Sequence, residues 1–139
     1  MGTWGIRPFE NDEALDFLEE VEESDDRAAA LARPIEHVAF SGGYLETADL
    51  TEAIAAAAVI GAVLRPEAAR DEPYLPEWLA EVEQSQLDNG LIETARKALR
   101  RAMQPGDNEL HELWAEAGAA QEWQADLARV LAWLGDRDD

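Results

Sequence analysis

The most informative segment of the chain is Leu50-Thr51-Glu52-Ala53-Ile54-Ala55-Ala56-Ala57-Ala58-Val59-Ile60-Gly61-Ala62-Val63-Leu64. Alanine has the highest helix propensity, and polar residues hardly interrupt the run, so the segment predicts a helix that is apolar on every side. Such a helix must be covered on all faces by other elements. Asp49, with Glu52 three residues later, resembles a capping box at its start, and Arg65-Pro66 ends it.

The segments on both sides of this helix also have apolar residues at helical spacing, and no strand alternation is visible. They predict one all-α domain over residues 1–139, with six or seven helices. The predicted elements are a helix over 12–23 after the N-cap Asn11, a helix over 27–40 with a kink or split at Pro34, a loop over 66–75, a helix from Pro76, a helix between Asn89-Gly90 and Gln104-Pro105-Gly106, a helix capped by Asp107 or Asn108, and a last helix after Gly118.

The composition limits the classes of partner. The 139 residues include 31 Asp plus Glu and 11 Lys plus Arg, a formal net charge of −20. Nucleic acids and anionic membrane surfaces are bound mainly through Lys and Arg, so we expect neither as a partner. The apolar run over residues 53–64 is shorter than the roughly 17 residues that span a bilayer. No secretory signal is apparent and cysteine is absent, so we expect the cytoplasm.

Residues 10–26 hold ten carboxylates and no basic residue. A solvated acidic surface is the simplest interpretation, because salt screens exposed charges. A docking surface for a basic protein is a second interpretation, since local charge steers a cationic partner. A divalent-metal site is a third, although the spacing of an EF-hand loop is missing. The carboxylates that share one face of the predicted helix are Asp12, Asp16, Glu19, Glu20 and Glu23.

A basic strip lies in the helix that follows Asn89-Gly90, where only Glu93 opposes four cations. One short basic cluster in a chain of this net charge is a weak signal for phosphate binding. We expect the strip to pair with the chain's own acidic helices or with those of another subunit. Its members are Arg96, Lys97, Arg100 and Arg101.

The chain has five Trp residues, and most of them fall on apolar helical stripes that predict core packing. Trp is also enriched among the energetically important residues of interfaces. Trp133, near the end of the chain, is the best candidate for an exposed position.

Motifs that identify an enzyme are missing. The sequence has no Gly-x-Ser-x-Gly elbow, no Walker A loop and no Gly-x-Gly-x-x-Gly turn. The two histidines, His37 and His111, lack the spacing of zincins and of carboxylate-bridged di-iron proteins. We therefore assign no catalytic residue, no metal and no cofactor from the sequence, and we interpret Ser41-Gly42-Gly43-Tyr44 as a turn.

Three segments resemble the motifs of one known family. They are similar to a bacterial family of proteins, the domain-of-unknown-function family 4259. The resemblance implies a bacterial intracellular single domain, and it brings no activity, cofactor or catalytic residue. Many members have Gly before the first Pro, where this chain has Arg7. The segments are Met1-Gly2-Thr3-Trp4-Gly5 with Pro8-Phe9-Glu10-Asn11-Asp12, Ala14 and Asp16; Gly43-Tyr44-Leu45-Glu46; and Asn108-Glu109-Leu110-His111-Glu112-Leu113-Trp114.

The opening signature has a structural and a functional interpretation. Trp4 and Phe9 would anchor an N-terminal aromatic arm by burying about 150–250 Å² each. Alternatively, Trp4, Asn11, Asp12 and Asp16 would rim a pocket at the start of the first helix. The signature residues that we keep as candidates for binding are Trp4, Gly5, Pro8, Phe9, Asn11, Asp12, Asp16 and Tyr44.

Two functional hypotheses follow from the sequence. The first is a small binding protein, of an inhibitor or immunity type, whose acidic first helix engages a basic protein or a second copy of the chain. The second is a hydrolase-like enzyme that uses Asp12 and Asp16, with or without a divalent ion, near Asn11, and His37 or His111 as a base. We favour binding, because no spacing of catalytic residues stands out.

Overall fold

A computed structural model describes residues 5–135. Within that range the chain forms seven α-helices and no strand, with one isolated parallel bridge between Leu45 and Asn108. The predicted all-α class and the number of helices are confirmed. The helices are α1 (Asp12–Glu23), α2 (Arg27–Phe40), α3 (Thr47–Leu64), α4 (Pro66–Ala69), α5 (Asn89–Met103), α6 (Glu109–Glu116) and α7 (Ala120–Trp133).

Helix α3 lies at the centre of the domain, as predicted. Every residue from 53 to 62 is buried, and α1, α2, α5 and α7 all pack against it. By length and composition, Thr47–Leu64 is apolar enough to cross a membrane, so the length argument against a span is wrong. However, 72% of this 18-residue window is buried inside the protein, as in a core helix.

Helix α3 begins at Thr47 rather than at Leu50. The side chain of Asp49 accepts a hydrogen bond from the backbone N–H of Glu46 at 3.3 Å. The carboxylate of Glu109, at the start of α6, accepts another from the N–H of Thr47 at 2.7 Å. The predicted pairing of Asp49 with Glu52 is therefore wrong. A distant carboxylate completes the cap, which local spacing does not reveal.

The other capping residues are local. Asn11 caps α1 by accepting from the N–H of Ala14 at 2.7 Å, as predicted. Of the two candidates before α6, Asn108 is the cap, since its side-chain oxygen accepts from the N–H of His111 at 2.8 Å. Asp88 caps α5, so the Asn89-Gly90 pair lies inside that helix instead of separating it from its neighbour.

Helix α2 is continuous from Arg27 to Phe40, so the predicted split at Pro34 is wrong. Proline lacks the N–H that would bond to the carbonyl of residue 30. The helix nevertheless continues because Leu31, Ile35 and Val38 are completely buried on either side of the proline. Burial of this apolar stripe offsets the missing hydrogen bond.

The segment between α3 and α5 is more ordered than predicted at its start and less helical at its end. The expected loop contains α4, in which Pro66 occupies the first helical turn, where a missing N–H costs nothing. The helix predicted from Pro76 is a 3₁₀ turn, Glu77–Glu81, followed by a second short turn, Gln84–Gln86. Short connectors commonly adopt this tighter hydrogen-bond pattern.

Trp133 is buried, with 5% of its surface exposed, so the prediction that it is exposed is wrong. Helix α7 extends to Trp133 and packs this side chain against Gly61 of α3. A Cβ atom built on Gly61 would lie 2.8 Å from the Cβ of Trp133. The missing side chain of Gly61 thus allows α3 and α7 to approach closely.

Gly61→Ala tests this close approach. The added methyl group would contact the Cβ of Trp133, which no rotamer change can move, so the two helices must separate. Overpacking of this kind costs about 1–3 kcal/mol, against about 1 kcal/mol gained in helix propensity. We expect a net loss in the free energy of unfolding, measured by urea denaturation.

Gly106→Ala is the matched control, because no atom lies within 4 Å of a Cβ built at this exposed position. Its stability should stay within about 0.5 kcal/mol of the wild type. A Gly61→Ala variant as stable as the wild type would contradict the packing described above.

Candidate functional site

Helix α1 presents an exposed acidic surface along its length. Its apolar residues are buried toward α2 and α3, while its carboxylates point away from the core. We call the five carboxylates of the predicted acidic face the acidic ridge. All five are exposed: Asp12, Asp16, Glu19, Glu20 and Glu23.

A groove of about 410 Å³ runs beside the ridge. One wall comes from α1 and the other from residues 74–78, in which Tyr74 is 57% exposed. Apolar side chains therefore lie next to the exposed carboxylates of Glu19, Glu22 and Glu77. We call this feature the aromatic groove, and its lining residues are Leu15, Leu18, Glu19, Glu22, Tyr74, Leu75, Pro76, Glu77 and Trp78.

Arg27 joins the elements at one end of the groove. Its guanidinium donates to the carboxylate of Glu81 at 2.8 Å and to the backbone carbonyl of Glu22 at 3.0 Å. It also lies 5.2 Å from the ring centroid of Trp78, within the range of a cation–π contact. Arg27 was not predicted as a site residue, although its position directly after ten carboxylates is a signal.

A buried ion cluster holds the segment that leads into Tyr74. The side chain of Glu72 is 1% exposed and pairs with Arg7 at 3.3 Å and with Arg129 at 3.0 Å. Arg129 also pairs with Asp126 at 2.7 Å. These four residues, the ion cluster, join the N-terminal segment, the groove wall and α7. No spacing in the sequence predicts the cluster, because its members are far apart in the chain.

The two carboxylates of the ion cluster have different surroundings. Glu72 is shared by two guanidinium groups. Asp126 accepts from Arg129 with one oxygen, and its other oxygen is buried without a hydrogen-bond partner in the described part of the chain. Burial raises the pKa of the Asp126 carboxyl above its ordinary value, and the contacts with Arg129 oppose that shift only in part.

A polar pocket of about 340 Å³ lies near Glu20 of the ridge, between α1, α2 and α3. Within it, Nε2 of His37 lies 3.6 Å from a carboxylate oxygen of Asp49. Burial raises the pKa of Glu52, as does the nearby charge of Glu20, while Arg33 lowers it. Negative charge in this pocket is therefore only partly compensated, which favours a cation in it.

The residues of the opening signature fall into two groups. Trp4 lies outside the described residues. Gly5, Pro8 and Asn11 line a crevice of about 20 Å³, enough for about one water molecule, and Phe9 is completely buried. Asp12 and Asp16 do not line this crevice and belong to the acidic ridge.

Tyr44, the remaining candidate, lies away from the ridge on the segment before α3. Its ring is exposed, and its hydroxyl donates to the carboxylate of Glu112 at 3.4 Å. Partial desolvation raises the pKa of Tyr44, as do the neighbouring charges of Glu112 and Glu109.

Three members of the basic strip of α5 make contacts that do not involve the acidic ridge. Arg96 pairs with Glu93 of its own helix at 2.6 Å. Lys97 lies 4.7 Å from the ring centroid of Phe40. Arg101 donates to the backbone carbonyl of Asp107 at 3.1 Å. The expected pairing of the strip with an acidic helix of the same chain is not found for these three residues.

Within residues 5–135, no group of three or more His, Cys, Asp or Glu side chains is arranged to hold a metal ion. His111 instead packs edge-on against Trp123, with ring centroids 6.0 Å apart. The described residues therefore give no support to a divalent-metal site on α1.

A family model described as a domain of unknown function, DUF4259, matches residues 2–126. The chain belongs to this family. No curated protein and no solved structure matches the chain. The DUF4259 match includes the whole acidic ridge and both walls of the aromatic groove. It ends within α7 at Asp126, so Arg129 of the ion cluster lies beyond it.

In this DUF4259 protein, Glu72→Gln should destabilise the fold. The change leaves the guanidinium groups of Arg7 and Arg129 without their shared negative charge. We expect a loss of about 1–3 kcal/mol, less than for a fully buried pair, because these side chains are 45% and 34% exposed. Urea denaturation at pH about 7 measures it.

Asp126→Asn should behave differently. Because the folded-state pKa of Asp126 is raised, the folded protein binds this proton more tightly than the unfolded chain does. The ionised carboxylate thus lowers stability at pH values above its folded-state pKa. We expect Asp126→Asn to equal or exceed wild-type stability at neutral pH, with the difference shrinking as the pH falls toward 3.8, the ordinary pKa. A loss at neutral pH as large as that of Glu72→Gln would contradict this.

Proposed function

We propose that this DUF4259 protein is a protein-binding module, of an inhibitor or immunity type, that binds a basic segment of a partner on the acidic ridge and aromatic groove. The observation that carries the proposal is the groove. Exposed carboxylates alone are typical of a solvated surface. Here they border a concave surface with a mixed polar and apolar lining and an exposed aromatic side chain, Tyr74.

The groove and the ridge suit complementary parts of such a partner. Lys and Arg side chains would pair with the ridge, which gives rapid association and selects against acidic partners. Apolar side chains between them would enter the groove, whose volume of about 410 Å³ accommodates a few side chains. Tyr is enriched among interface residues that contribute most to affinity, so Tyr74 is the expected anchor.

The polar pocket also favours a partner segment with positive charge. Glu20 belongs both to the ridge and to the pocket lining. A cationic side chain placed there would relieve the repulsion between Glu20, Asp49 and Glu52. The pocket therefore extends the surface that attracts a basic segment.

The hydrolase alternative has less support. The side-chain oxygen of Asn11 is used as the cap of α1, and Asp12 and Asp16 are exposed. His37 pairs with Asp49 rather than with either of these aspartates. We keep the cytoplasm as the proposed location, since a chain without cysteine suits a reducing compartment.

A fluorescent amphipathic peptide of alternating Lys and Leu clusters serves as a probe of this function. Its affinity is measured by fluorescence anisotropy in about 0.15 M salt. We expect the double variant Glu19→Gln/Glu22→Gln and the single variant Tyr74→Asn each to weaken binding about tenfold. Asn is chosen because Tyr74 has a φ of 66°, a conformation that Asn tolerates.

The control is Glu116→Gln/Glu122→Gln, which removes the same charge from exposed positions on α6 and α7. Because salt screens the long-range attraction between exposed charges, this variant should change the affinity less than twofold. Equal weakening by the control and by Glu19→Gln/Glu22→Gln would show attraction to the net charge alone, and it would overturn the proposed site.

A further inference from the structure

A second exposed surface lies where the end of α2 meets α5. Phe40 is 64% exposed, and the ammonium group of Lys97 lies over its ring. Arg101 donates to the carbonyl of Gly43 at 3.4 Å, in the loop that leads to the exposed ring of Tyr44. We call Phe40, Tyr44, Lys97 and Arg101 the basic–aromatic face.

Among the described residues, the side chains of the two cations of this face contact a ring and backbone carbonyls rather than a carboxylate. Within residues 5–135, neither Lys97 nor Arg101 forms an ion pair. This occurs although the chain has 31 acidic residues and only 11 Lys and Arg. The loop at Gly42 and Gly43 is open, since no atom lies within 4 Å of a Cβ built on either residue. Lys97 and the ring of Phe40 are accessible, whereas Nη1 of Arg101 is buried and the carboxylates of Glu112 and Glu109 lie near Tyr44. The exposed ammonium group of Lys97 suits an acidic occupant.

We infer that the basic–aromatic face binds the acidic ridge of a second copy of this chain. The ridge cannot reach the face of its own chain, because α1 packs against α2 and α3 whereas α5 packs against α2, α3 and α7. A second copy brings together five exposed carboxylates and the exposed ammonium group of Lys97. The exposed ring of Phe40 adds apolar contact area beside them.

The contact is compatible with a net charge of −20. At physiological salt the Debye length is about 8 Å, so charges on distant surfaces of two copies are screened, while pairs in contact interact strongly. A weak, transient interface buries less than about 600 Å² on each partner, under a tenth of the 7343 Å² surface of this chain. The contact should therefore be weak and sensitive to salt.

The arrangement is head-to-tail, because the ridge and the face are different surfaces. Such a heterologous contact leaves a free ridge at one end and a free face at the other, so association can continue beyond a dimer. It also covers the surface that we propose for the basic partner. Self-association and partner binding would then compete for the ridge.

The test uses sedimentation velocity at rising protein concentration in about 0.15 M and about 0.5 M salt. One variant, Glu19→Lys/Glu20→Lys/Glu23→Lys, reverses the ridge, and another, Phe40→Gln/Lys97→Glu, reverses the face. We expect the wild type to exceed the monomer mass of 15.3 kDa in the lower salt and to dissociate in the higher. Each variant alone should remain monomeric.

An equimolar mixture of the two variants is the decisive sample. The intact ridge of one variant meets the intact face of the other, and the reversed ridge and the reversed face again have opposite charges, so the mixture should recover the association that each variant alone has lost. A wild type that is monomeric in both salts, or a face-reversed variant that still associates, would overturn the inference. The face-reversed variant keeps an intact ridge and should bind the Lys and Leu peptide normally, so a failure here is distinguishable from a failure of the proposed function.

Discussion

An alanine-rich helix that is apolar on every side has to be covered on every side, and this requirement organises the protein. Helix α3 is surrounded by α1, α2, α5 and α7, which each contribute an apolar stripe. Small side chains and Gly61 allow close packing, and Trp133 occupies the space that Gly61 leaves. Since the inner surfaces are committed to α3, the charged residues are placed on the outer surfaces.

The positions of the few cations then determine which elements are joined by ion pairs and which part of the outer surface stays acidic. Arg7, Arg27 and Arg129 lie at junctions between elements, where they hold the N-terminal segment, the groove wall and α7 together. These cations therefore brace both ends of the aromatic groove, while the carboxylates of the acidic ridge form no ion pair among residues 5–135. The same arrangement explains why the exposed carboxylates lie beside a well-defined concave surface.

The elements that could be predicted from the sequence are those that local signals determine. Apolar spacing and the side-chain cap of Asn11 give α1 directly, and the uninterrupted apolar run gives the central position of α3. The first turn of α3 was not predicted, because its capping box pairs Glu46 with Asp49 instead of starting from the usual Ser or Thr, and Glu109 completes the cap from another helix. The burial of Trp133 likewise results from a contact with Gly61, which only the folded chain brings near.

The candidate site was predictable only in part, for the same reason. The carboxylates of the ridge follow from helical periodicity on one segment. The groove, the ion cluster and Arg27 depend on contacts between segments far apart in the sequence, such as Arg129 with Glu72. The structure therefore shows that the acidic face of α1 borders a groove, which helical periodicity alone does not reveal.

Hydrogen exchange of the protein alone and with the Lys and Leu peptide tests this account most directly. In the free protein, amides of residues 53–62 should exchange most slowly, because they open only on global unfolding. Added peptide should slow exchange in α1 and in residues 74–82 and leave α5 unchanged. Slower exchange confined to α5, or fast exchange of residues 53–62 in the free protein, would contradict it.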